Sequence, residues 1–218
     1  PNANYYTGTI ENAVNLVWGG TQSIPFAKLL SEEMGGLPVS LTNDANAAAV
    51  GEMTYGAARG MKNFIMITLG TGVGSGIVIN GEVVYGHDGF AGELGHVAAV
   101  RNNGRTCGCG KTGCLETYAS ATGVARTARE WLELSNEPSV LRDLDSISSK
   151  DVYEAAKDGD SLALKIFEFT GKILGRSFAD FIAFSAPEAI VLFGGLARAK
   201  EFLLQPIEDA MNANVLPL

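Results

Sequence analysis

The balance of apolar and polar positions changes character twice along the chain. Residues 1–24 are polar and punctuated by Thr7-Gly8-Thr9 and Trp18-Gly19-Gly20-Thr21, which reads as loops. Pro25 to Met34 has apolar positions at helical spacing. Pro25 suits a first turn and Gly35-Gly36 stops the element. Pro38-Val39-Ser40-Leu41 reads as a short strand, and Asn43-Asp44 then caps an Ala-rich helix, Ala45 to Tyr55. From Phe64 the pattern becomes that of strands. Phe64–Leu69 is a continuous apolar run, Ser75–Ile79 a second strand, and Asn80-Gly81 the turn that leads to a third, Glu82–Tyr85. Beyond Leu115 the period returns to that of helices: Glu116–Trp131, Ser149–Lys157 and Ser161–Phe184. Glu188–Phe193 is one more buried strand, broken by Gly194-Gly195, and a final helix starts near Ala199.

Composition narrows the class. Hydrophobic residues make up 46% of the 218 and charged residues 18%, enough to bury a sizeable core and to exclude a disordered or collagen-like chain. The formal charge is −8, whereas a phosphate backbone is gripped by clustered Lys and Arg, so no nucleic-acid partner is expected for this segment. No apolar run approaches the ~20 residues of a membrane span. The N-terminus lacks the basic and apolar regions of a secretory signal. The expectation is a cytoplasmic protein that engages no membrane.

Glycine and cysteine point to chemistry. The 27 glycines are dense at Gly70–Gly76, Gly86–Gly95 and Gly104–Gly113. In Leu69-Gly70-Thr71-Gly72-Val73-Gly74-Ser75-Gly76 they alternate. Such a hairpin is either merely flexible or leaves its N–H groups bare to cradle phosphate, with Thr71 and Ser75 adding hydroxyl donors. Two other phosphate motifs are excluded. Gly110-Lys111-Thr112 resembles the end of a Walker loop, but Arg105 stands where its first glycine is needed. Strict alternation followed by a strand is not the dinucleotide fingerprint.

The cysteines, Cys107, Cys109 and Cys114, lie within eight residues of one another, and His96 completes the spacing His-x10-Cys-x-Cys-x4-Cys. Three soft thiolates and an imidazole suit a closed tetrahedral zinc site of structural type; the alternative is a free-thiol loop with an unrelated histidine. A metal on one nitrogen of His96 leaves the other as a fixed N–H donor. With Glu93 and Glu116 beside it, that donor makes a polyol-binding pattern, where otherwise the two acids would be surface carboxylates. Asn43-Asp44 is a preferred helix cap, and the same position lets an ionised Asp44 take a proton from a hydroxyl. Gly194-Gly195, after a strand, either admits a flat ligand or forms an ordinary junction.

Four stretches together resemble the ROK family of bacterial sugar kinases and sugar-sensing repressors, and within it the glucose-phosphorylating kinases most. They are Asn43-Asp44-Ala45-Asn46, Leu69–Gly76, Glu93-Leu94-Gly95-His96 and Cys107–Glu116. The resemblance implies an α/β protein of the actin-like ATPase (ribonuclease H-like) fold, with two domains closing over a cleft. It places a remnant of the small N-terminal domain at 1–58 and the large domain at 59–218, with a zinc loop at about 96–114. It also implies that Asp44 is the catalytic base and that Asn43, Glu93, His96 and Glu116 hold the sugar. Thr71 and Gly72 would then sit by the phosphates of ATP, and Gly194 and Gly195 by its adenosine. Structural zinc would be held by His96, Cys107, Cys109 and Cys114, with magnesium accompanying ATP and a homodimer as the assembly. The expected reaction is transfer of the γ-phosphoryl group to a hexose, glucose first. N-acetylhexosamine or fructose kinases and a sugar-responsive repressor remain alternatives. The family's first phosphate loop, Asp-x-Gly-Gly-Thr, is not found: Trp18-Gly19-Gly20-Thr21 echoes it, but Val17 stands at the Asp position. The chain therefore reads as a fragment, inactive by itself.

Overall fold

A computed structural model describes residues 2–11 and 23–217. Trp18-Gly19-Gly20-Thr21 and Val17 lie outside the described residues. By internal contacts the chain divides into two compact units, Pro1–Met66 with Ser75–Glu93, and Ile67–Gly74 with Leu94–Leu218. The sequence reading instead cuts once, after residue 58.

The first unit opens with a feature that hydrophobic patterning does not disclose. β1 (Asn2–Asn4) pairs antiparallel with β2 (Thr9–Glu11), where loops are expected. The turn is made by a side chain: buried Asn4 accepts from the N–H of Tyr6 and Thr7 at 3.0 and 3.2 Å, and its amide donates to Asp88 O at 3.0 Å. The pairing is local and polar, so apolar alternation carries no trace of it. α1 (Phe26–Glu33) and α2 (Asp44–Tyr55) follow as expected. Pro38–Leu41 forms no strand. Pro38 has no N–H to give a ladder, and turn chemistry outweighs the apolar spacing there.

β3 (Phe64–Leu69), β4 (Val73–Ile79), β5 (Glu82–Val83) and β6 (Ala189–Phe193) form a sheet in the order β5-β4-β3-β6. Phe64, Ile65, Met66, Ile67 and Leu69 are all buried, as a run without alternation requires of an inner strand. Expected as buried, β6 is half-buried and its Phe193 exposed, because it lies at the end of the sheet order. The β4–β5 hairpin pairs Val78 with Val83 and Ile79 with Glu82 around Asn80-Gly81, both in the left-handed region.

Helices make up most of the second unit. The predicted helix Glu116–Trp131 is two elements, α3 (Glu116–Ala119) and α4 (Ala121–Leu134). Ser120 between them has extended backbone and accepts from the N–H of Gly123 at 3.0 Å, so its capping preference overrides the continuous helical period. α5 (Ser149–Lys157) starts with a capping box, Ser148 with Asp151. α6 (Ser161–Ser185) buries Leu162, Ile166, Phe167, Leu174 and Phe178 and packs along α7 (Lys200–Asn212). Each such side chain contributes ~1.5–3 kcal/mol by leaving water.

Candidate functional site

In the first unit, Asn43 is the N-cap of α2: its Oδ1 accepts from the N–H of Asn46 at 2.6 Å. Asp44 follows at the first helical position, exposed, with Oδ1 accepting from the N–H of Ala45 at 2.9 Å. α2 lies against β4, where a Cβ on Gly76 would meet Ala45 O and Ala49 Cβ. The helix that carries Asp44 is thus seated on the sheet, and an exposed carboxylate stands at its positive end. Glu93 is also exposed and belongs to this unit. Ser75 is not the phosphate donor that the sequence suggests. It is buried, and its hydroxyl donates to Gly92 O.

The remaining candidates belong to the second unit. The turn between β3 and β4 is less bare than the alternating glycines imply. Gly70 N–H donates to Gly72 O at 3.0 Å, Val73 N–H to Glu116 Oε2 at 3.0 Å and Gly74 N–H to Thr68 Oγ1 at 3.1 Å. Those groups hold the turn itself, and Thr71 and Gly72 form its tip, with Thr71 exposed.

The cysteine loop folds back on itself. Thr106 bridges Thr112, Cys107 N–H donates to Lys111 O at 2.9 Å, and Gly113 N–H donates to Arg105 O at 2.8 Å. Ala98 bridges Cys114, which brings the loop to the short turn Leu94–His96. Gly95 is required in that turn, since a Cβ there would strike the carbonyl of Val73. One ring nitrogen of His96 and the three sulfurs consequently all lie within 4.8 Å of one another. Cys107 Sγ is 3.7 Å from His96 Nδ1, and Cys109 Sγ is 3.7 Å from Cys114 Sγ. A disulfide needs about 2.05 Å. Tetrahedral zinc with Zn–S ~2.3 Å and Zn–N ~2.0 Å sets edges of about 3.8 Å for two sulfurs and about 3.5 Å for sulfur and nitrogen.

Electrostatics points the same way. Burial, reinforced by the neighbouring thiols, pushes Cys114 up to about 12. Burial also raises Cys107, against the opposing effect of the Cys109 N–H. Cys109 is lowered: burial opposes this, but the N–H and charge of Lys111 prevail, helped by the other thiols. Three thiolates cannot share this space without a cation to offset them, and a bound dication ionises such thiols outright. The donor set and its spacing fit a four-coordinate metal. With Nδ1 turned to Cys107 Sγ, a metal would take that nitrogen and Nε2 would carry the ring N–H.

Glu116 is half-buried at the start of α3, with Oε2 on Val73 N–H and Oε1 3.8 Å from Cys107 Sγ. It therefore joins the cysteine loop to the glycine turn. Gly194, with φ of 103°, and Gly195 border a cavity of about 580 Å³ lined also by Leu192, Phe193 and Arg198. A Cβ on Gly194 would stand 2.6 Å from Leu69 O, so this corner admits no side chain. Sequence reasoning missed Arg105, which is buried and bonded to α3 and α4. Its partners are brought near only by folding, and no spacing signals them.

The architecture is thus α/β, with the His/Cys cluster, the glycine turn and the glycine-edged cavity all in one unit and a capped carboxylate in the other. Comparison with known proteins gives the family. The model of the ROK family matches residues 4–217, and the chain belongs to that family. Glucokinase of Halalkalibacterium halodurans is 45% identical over 214 residues, covering 97% of this chain and 64% of the relative. A ROK family glucokinase from Streptomyces griseus, solved with glucose and AMPPNP, superposes with a TM-score of 0.85 at 34% identity, over 99% of this chain and 69% of that one. A ROK family transcriptional regulator, a homolog of the E. coli MLC protein, gives 0.87 at 32% identity, over 99% and 53%. The fold is that of the actin-like ATPases. The chain spans less than two thirds of the length of the curated relative described here.

Proposed function

We propose that the full-length protein is an ATP-dependent hexose kinase that converts glucose to glucose 6-phosphate. The observation that carries this reading is the 45% identity to a glucokinase across 97% of the chain. Asp44 is assigned as general base: it takes the proton of the sugar hydroxyl as that oxygen attacks the γ-phosphorus and ADP leaves. Asn43 keeps its amide N–H groups for the sugar, since its Oδ1 is used in capping. Glu93 and Glu116 accept from sugar hydroxyls, and His96 donates through Nε2. Thr71 and Gly72 meet the phosphates, and Gly194 and Gly195 floor the adenosine cavity. Positioning and charge supply most of the rate, because phosphoryl transfer asks little covalent work of a protein.

His96, Cys107, Cys109 and Cys114 would hold structural zinc, which fixes the imidazole and closes a loop with little core of its own. Magnesium, accompanying ATP, offsets the charge of the transferring group. Among the described residues no helix is long and apolar enough to cross a membrane, in keeping with a cytoplasmic enzyme. A homodimer is the proposed assembly, and a small-domain remnant at 1–58 beside a large domain at 59–218 the proposed organisation. The similarity to a transcriptional regulator favours one second reading, a sugar-binding regulator without turnover. A panel of glucose, N-acetylglucosamine, N-acetylmannosamine and fructose with ATP, followed by ADP release, separates them. The kinase reading predicts the fastest release with glucose, whereas sugar binding with no release from any of them contradicts it.

A further inference from the structure

The glycine turn between β3 and β4 is held from behind by the junction of α3 and α4. Glu116 Oε2 accepts from Val73 N–H at 3.0 Å, Ala121 N–H donates to Gly70 O at 2.8 Å, and the Thr122 hydroxyl donates to Thr71 O at 2.8 Å. A Cβ on Gly72 would run into the Glu116 carboxylate, so the two are in direct contact. The same junction carries the cysteine loop through Arg105. Its guanidinium donates to Thr117 O at 2.8 Å, to Thr127 Oγ1 at 2.9 Å and to Glu130 Oε2, and lies 4.5 Å from the centre of the Tyr118 ring. One short stretch of chain therefore fastens both loops.

Two of those bonds do more than fasten. A trans peptide is planar, with C=O and N–H pointing in opposite directions, and no cis bond occurs among the described residues. Holding Gly70 O aims the N–H of Thr71 away from α4, and holding Thr71 O aims the N–H of Gly72 the same way. These are the two N–H groups at the tip of the turn. Ala121 supplies the first restraint from its backbone, which any residue does. Thr122 supplies the second from its side chain, at an exposed position where a single neutral hydrogen bond adds little to stability. Ser120 Oγ, 2.9 Å from Thr122 Oγ1, orients that hydroxyl.

We propose that Thr122 is a positioning residue for the nucleotide phosphates: its hydroxyl locks the Thr71–Gly72 peptide so that Gly72 N–H is preset toward a phosphate oxygen. This rests on the kinase reading of the turn. The test uses the full-length protein as wild type, Thr122→Val and Thr122→Ser, with dissociation constants for MgADP, adenosine and glucose. Thr122→Val keeps the shape and removes the hydroxyl. It raises the MgADP constant about 3- to 10-fold, the worth of one neutral hydrogen bond, and leaves adenosine and glucose unchanged. Thr122→Ser restores MgADP binding. An unchanged MgADP constant in Thr122→Val overturns the proposal, as does an equal loss for all three ligands, which would report general loosening. Wild-type protein that binds glucose but neither adenosine nor MgADP overturns the nucleotide reading itself, and the proposal falls with it.

Discussion

At the scale of single residues, the candidate site separates into what chemistry announces and what only folding creates. Cys107, Cys109, Cys114 and His96 are legible in the sequence because soft donors at short spacing have few other uses. The structure brings their ligand atoms to within 4.8 Å of each other. Ser75 shows the opposite case: a serine in a glycine-rich turn looks like a phosphate donor, yet its hydroxyl is turned inward to Gly92 O. Arg105 and Thr122 were silent, since each acts on groups that lie far away in sequence. The metal quartet yields a direct prediction. Cys109→Ser removes the most exposed ligand, and the metal content of the purified protein falls from one per chain toward none. Loss of the metal frees the His96 ring, so the glucose dissociation constant rises by about 10-fold or more, the scale of losing an orienting partner. Metal lost with unaltered glucose affinity would show that the imidazole needs no such anchor.

Among the elements, strong periodicity was readable, and short polar pairings and the cap at Ser120 were not. α5 spans Ser149–Lys157, the range its period predicts, and α6 differs by one residue at its end, because both bury long regular stripes. The β1–β2 pair escaped because its turn is built by the side chain of Asn4, and Pro38–Leu41 misled because apolar spacing ignored a missing donor. The break between α3 and α4 matters most for the site. A continuous helix would carry no capping serine and would not present Ala121 N–H and Thr122 to the glycine turn. Ser120→Ala removes the cap and is expected to cost about 1 kcal/mol. For a chain of this size that lowers the melting temperature by about 2–4 °C in calorimetry. No change in melting temperature would mean that Ser120 merely occupies the bend.

For the whole molecule, family membership settles the fold but not the chemistry, since the superposed relatives include both a glucokinase and a transcriptional regulator. The fold class was legible because four separate motifs agreed with one architecture. The division into compact units was not, because β3 and β4 each pass from one unit to the other, and no composition shift marks those crossings. What separates a kinase from a sugar sensor is whether a base works on the bound hydroxyl, and Asp44 is the residue assigned to that work. The decisive measurement pairs glucose affinity with the rate of ADP release, for full-length wild type and Asp44→Asn in the same preparations. The account predicts glucose binding kept within about 3-fold and ADP release reduced by about 10²–10⁴, the range for loss of a general base. Turnover that survives in Asp44→Asn, or a wild-type protein that binds glucose and releases no ADP, would contradict it.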